Sequence, residues 1–107
     1  MSKNEKMISG DTIVAQATPF GHSGVALVRV SGQDSLKIVE KLTGGSPLEN
    51  RVSTFSKILS PNNDVIDRAL ITCFRAPASY TGENVVEITP HGNPAIIENI
   101  IETICIY

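Results

Sequence analysis

The stretch "SYTGENVVEITPHGN", Ser79 to Asn93, contains a short strand pattern framed by two turns. Within it Val86 and Ile88 fall on one face, and Val85, Glu87 and Thr89 on the other. A carboxylate in the middle of an apolar strand is costly unless it has a partner, so Glu87 asks what it is there to meet. Directly after the strand, Asn93 is suited to cap a helix and Pro94 to occupy its first position, where a missing N–H costs nothing. Apolar pairs follow at Ile96-Ile97, Ile100-Ile101 and Ile104-Cys105, separated by Glu98-Asn99 and Glu102-Thr103, which is an amphipathic helix. Ile96, Ile100 and Ile104 are expected to lie buried under a sheet. No Gly, Asn or Pro stop precedes Tyr107. The helix therefore reads either as cut from a longer protein or as a terminal helix docked on the sheet.

Upstream of this stretch the same alternation recurs. "DTIVAQAT" places Ile13, Ala15 and Ala17 on one face and Thr12, Val14, Gln16 and Thr18 on the other. After the turn Pro19-Phe20-Gly21-His22-Ser23-Gly24, "VALVRVS" places Ala26, Val28 and Val30 opposite Val25, Leu27, Arg29 and Ser31. From Gly32 the period changes to that of a helix, with Leu36, Val39 and Leu42 on its apolar stripe, Gly44-Gly45 as its stop and about three turns of length. "VSTFSKILS" and "VIDRALITCF" read as a hairpin across Pro61-Asn62-Asn63-Asp64. The polar opening, residues 1–10, is expected to be a flexible tail, and residues 11–107 one domain. The fold class is α+β, with a mostly antiparallel or mixed five-stranded sheet and two main helices.

The chain has 107 residues, 41% of them hydrophobic and 19% charged, which suits one soluble domain with one core. It shows neither an apolar run of membrane length nor a signal-peptide pattern, so a cytoplasmic location is expected, with no membrane partner. A formal charge of −2, with nine scattered basic residues, argues against strong nucleic-acid binding by this segment alone. Cys73 and Cys105 lack the companions of a zinc site and read as free thiols; no metal site is expected.

The sequence contains no phosphate loop, no H-E-x-x-H and no G-x-S-x-G, and "TGGS" at Thr43 lacks the lysine that a phosphate cradle needs. His22 and His91 sit in glycine-containing loops, either as surface residues or as loop contacts to a ligand. Arg29 and Glu87 each interrupt an apolar strand on the face opposite its regular apolar stripe. They read either as a cross-strand ion pair on a solvated face or as a ligand site. In the second case the carboxylate would accept parallel N–H bonds from the edge of a fused heterocycle, and the arginine would meet a carboxylate or polarised carbonyl.

Taken in order, "DTIVAQATP", the glycine turn, "VALVRVSG", "SYTGENVVEITPHGN" and the helix after it resemble the N-terminal domain of the MnmE (TrmE) family of tRNA-modifying GTPases, over Asp11 to about Ile106. The resemblance implies a domain similar to the folate-binding part of the glycine-cleavage aminomethyltransferase. It also implies a homodimer formed through this domain, with 5-formyltetrahydrofolate near the interface and Arg29 and Glu87 at the folate-binding positions. By the same resemblance the whole protein would be a GTPase working with the flavoprotein MnmG on the wobble uridine of certain tRNAs. Its helical and GTPase domains, with GTP, magnesium and potassium, and its catalytic cysteine would lie beyond residue 107, so this segment would have no catalytic residue and neither bind nor hydrolyse GTP. Cys73 and Cys105 do not correspond to that cysteine. The sequence departs from the family in its glycine turn and at His91-Gly92-Asn93, where the family has His-Gly-Gly. The alternatives are a small aminomethyltransferase-like folate enzyme, for which no positioned acid or base beyond Glu87 is present, and a structural dimer module with a degenerate pocket.

Overall fold

The computed structural model describes the backbone of residues 5–7 and residues 12–17, 26–45, 47–77, 79 and 82–107. The elements run β1 (Glu5–Met7), β2 (Ile13–Gln16), β3 (Val28–Ser31), α1 (Ser35–Leu42), β4 (Thr54–Leu59), β5 (Val65–Phe74), β6 (Val85–Thr89) and α2 (Pro94–Ile106). All five strands and both helices expected from the sequence form. A further strand, β1, lies within the segment expected to be a tail and brings the sheet to six, in the order β1-β2-β3-β6-β5-β4. Its three residues, Glu-Lys-Met, carry no alternating apolar pattern. They join by pairing antiparallel with β2 (Lys6↔Val14), so backbone hydrogen bonds to an open strand edge build it.

All the strand pairings are antiparallel. Their register sorts the side chains cleanly. Val14, Val30, Val86 and Cys73 face one another along one row, and Val28, Ile88 and Ile71 along the next. All are buried, in one core with Ile58 of β4, Leu36, Val39 and Leu42 of α1, and Ile97, Ile100, Ile101 and Ile104 of α2. Both helices therefore share one face of the sheet. Ile100 and Ile104 are buried as expected. Ile96 is only half-buried, because the paired isoleucines make a broad stripe whose most buried positions are Ile100 and Ile104, and Ile96 lies at its edge.

Local chemistry sets the helix ends. Asn93 Oδ1 accepts the N–H groups of Ala95 (2.8 Å) and Ile96 (3.4 Å), with Pro94 opening α2, as the sequence predicts. α1 covers eight residues, shorter than the three turns expected, because Gly32 adopts φ +135° and the chain turns there before the helix begins at Ser35. In that turn Gly32 N–H donates to the Asn84 carbonyl (2.8 Å), and Asp34 N–H donates to Thr12 Oγ1 (3.2 Å). A Cβ on Gly32 would lie 2.6 Å from the Thr12 Cα, so both its backbone angle and its space demand glycine. Gly32→Ala is expected to lower stability by roughly 2–4 kcal/mol, read as a reduced urea midpoint with unchanged m-value.

Candidate functional site

Because the core residues occupy one side of the pleat, their neighbours line the other, which no helix covers among the described residues. Ala15, Arg29, Glu87 and Thr72 are consecutive register partners across β2, β3, β6 and β5. Thr72 Oγ1 lies 2.7 Å from Ser53 Oγ and extends this polar row toward β4. On one side runs Ile13, Ser31, Val85 and Phe74, with the Arg51 guanidinium 5.3 Å from the centre of the Phe74 ring. On the other side Thr89 faces Leu70, and Leu70 faces Phe55. Leu70 (46% exposed) and Phe55 (65% exposed) are open to solvent.

At the centre of this face Arg29 and Glu87 meet. Arg29 Nη2 donates to Glu87 Oε2 at 2.8 Å and Nε to the same oxygen at 3.2 Å. The side chains are 31% and 17% exposed, so the pair is partly desolvated but reachable from solvent. Both guanidinium bonds fall on Oε2, and among the described residues Oε1 receives none. The ion pair expected of two charges on neighbouring strands is therefore formed, and it leaves one carboxylate oxygen available as an acceptor. A partly exposed cross-strand pair contributes about 0.2–1 kcal/mol, too little to explain two charges within apolar strands by stability alone.

His91 follows β6 and is tied to a residue that sequence reasoning passed over. Asp67 Oδ2 accepts the His91 backbone N–H at 2.9 Å, and Oδ1 lies 2.8 Å from His91 Nδ1. The Asp67 side chain is 9% exposed whereas the imidazole is 71% exposed, so a nearly buried carboxylate anchors an open ring. Burial pushes the Asp67 carboxyl up. The His91 backbone and ring hydrogen bonds, the Arg68 N–H and the charge of His91 outweigh it and hold the group below its ordinary 3.8. The signal was present in the strand alternation, which puts Asp67 in the same row as Ala69, Ile71 and Cys73, where a charge requires a partner. His22 lies outside the described residues. Among the described residues no three His, Cys, Asp or Glu side chains converge to hold a metal, and no helix is long and apolar enough to cross a membrane. Cys73 is buried and Cys105 half-buried, and neither forms a disulfide among the described residues.

The sequence over most of this framework is similar to that of known proteins. Residues 12–106 match the family described as the GTP-binding protein TrmE N-terminus, and the chain belongs to that family. Over 96 residues, 90% of the chain, it is 49% identical to the tRNA modification GTPase MnmE of Francisella tularensis subsp. holarctica (strain OSU18). It is 50% identical over the same length to the proteins of that name from Francisella tularensis subsp. tularensis (strain SCHU S4) and Francisella philomiragia. The chain spans 21% of the length of these relatives.

A carboxyl group whose folded-state pKa is depressed adds stability that is present above its unfolded value and is lost as pH falls through the folded one. Asp67→Asn is therefore expected to cost about 1 kcal/mol near neutral pH. The gap from wild type should stay constant down to about pH 5 and shrink below 3.8. Urea unfolding of both proteins across that range checks the sign.

Proposed function

We propose that this domain binds a reduced folate, 5-formyltetrahydrofolate, on the open face of its sheet, and that Arg29 and Glu87 hold it. The observation that carries this reading is the partly desolvated Arg29–Glu87 pair, with Glu87 Oε1 unused among the described residues and two solvent-open apolar residues one row away. A pterin edge offers N–H donors that the open carboxylate oxygen can accept, and Arg29 holds that carboxylate in orientation. His91, anchored by Asp67, is a loop contact at the end of β6. His22 is proposed as a second such contact. The domain is also proposed to form the homodimer interface and to share its architecture with the folate-binding part of the glycine-cleavage aminomethyltransferase. In the longer protein the folate would supply the one-carbon unit for cytoplasmic modification of the tRNA wobble uridine together with MnmG. GTP hydrolysis, with its magnesium and potassium, would belong to a separate domain.

One observation favours a second reading. Arg29 and Glu87 already pair with each other, as they would in a structural module whose site no longer binds. Titration calorimetry with 5-formyltetrahydrofolate separates the two. Glu87→Gln replaces an acceptor oxygen with an NH2 that faces the ligand's own N–H donors, and is expected to weaken binding by roughly 1.5–3 kcal/mol. Arg29→Ala should also weaken it, and the two effects should be non-additive because both residues touch one another. No heat of binding from the wild-type chain, or an unchanged affinity in Glu87→Gln, contradicts the folate reading.

A further inference from the structure

The hairpin of β4 and β5 carries two cations in a place where sheet energetics disfavour them. Lys57 and Arg68 are direct register partners. Both are exposed. Like charges opposite each other in a sheet repel at a Cβ separation of about 5 Å. Neither side chain forms an ion pair among the described residues, and the acid nearest in sequence, Asp67, is turned to His91. Among the described residues the hairpin keeps a double positive charge that no carboxylate pairs with.

The position of that spot on the sheet gives it a meaning. Along β5 the open face shows Thr72, then Leu70, then Arg68, and Thr72 is the register partner of Glu87. Two steps of the pleat separate Thr72 from Arg68, about 13 Å at the usual strand rise. Between them lies the exposed pair Leu70 and Phe55. Read from Glu87, the face thus offers an acceptor for N–H donors, then an apolar and aromatic strip, then a pair of cations. An extended molecule with a hydrogen-bonding heterocycle at one end, a flat apolar middle and carboxylates at the other matches all three in order.

We propose that Lys57 and Arg68 form an anion subsite that takes the carboxylate end of the ligand whose heterocycle meets Glu87. This rests on the folate reading above and adds to it the direction in which the ligand lies: across Leu70 and Phe55, with its glutamate carboxylates between the two cations. Arg68 supplies a planar fork for one carboxylate and Lys57 a point charge for a second. The repulsion between them is relieved when a dianion sits there.

The test compares 5-formyltetrahydrofolate with 5-formyltetrahydropteroate, which lacks the glutamate, on wild type and on the double variant Lys57→Gln, Arg68→Gln, by calorimetry at low and high salt. Wild type is expected to bind the glutamate form roughly tenfold or more tighter, with that advantage shrinking as salt screens it. The double variant should bind both forms alike, at the wild-type affinity for the pteroate. Its thermal midpoint should equal or exceed that of wild type, since a repulsion has been removed. If both proteins bind both compounds equally, the subsite is refuted while the folate reading stands. If neither compound binds wild type, both fall together. Loss of binding to a single-stranded RNA oligomer in the double variant, with folate affinity unchanged, overturns the proposal in favour of a nucleic-acid surface.

Discussion

β6 is held on both edges, by β3 through Val30↔Val86 and by β5 through Cys73↔Val86. Side chains alternate with a period of two, so a slip of one residue on either side would send Val86 and Ile88 into water and carry Glu87 into the core. Burial of these two side chains, on the order of 1.5–3 kcal/mol each, enforces the register. The same register puts Glu87 opposite Arg29 and Thr72. The site is thus a consequence of core packing on the reverse side of the sheet. Its charged groups need little binding energy of their own to stay in place.

The two faces divide the labour of the domain. Two helices seal one with isoleucine, leucine and valine, anchored by the Asn93 cap and by the Gly32 turn closing on Thr12. On the other face polar and charged residues lie row by row between apolar ones, with the Arg29–Glu87 pair at half-exposed positions where an interaction is neither screened as in bulk water nor penalised as in a dry core. The Asp67–His91 contact links the two regions, since it ties β5 to the segment between β6 and α2. A change in that clasp would reach both the helix start and the end of β6, the strand that carries Glu87.

Much of this was legible in the sequence, for physical reasons that can be named residue by residue. Alternation in "VVEIT" and "VALVRVS" located two central strands, and a charge in each of them announced a partner that the structure supplies as the Arg29–Glu87 pair. The Asn93-Pro94 start of α2 rested on local hydrogen bonding and was correspondingly secure. β1 was not legible because Glu-Lys-Met has no apolar rhythm and pairs through its backbone. In α2, Ile100 and Ile104 were legible as buried and Ile96 alone was not placed correctly, lying half-buried beside the buried Ile97, since doubled isoleucines do not fix the edge of a helix's apolar stripe. Asp67 was missed because its partner, His91, is 24 residues away and meets it only when β5 and β6 pair. The ligand role proposed for the open face lies on a further level, since chemistry at a site depends on what enters it.

The central claim, that a reduced folate lies on the face of the sheet opposite α1 and α2, is tested most directly by amide chemical-shift mapping of the isotopically labelled chain titrated with 5-formyltetrahydrofolate. Saturable shifts concentrated at Arg29, Leu70, Thr72 and Glu87, with Ile100 and Ile104 of α2 unmoved, are the predicted result. Shifts centred on α1 and α2, or none at ligand concentrations well above millimolar, would contradict it.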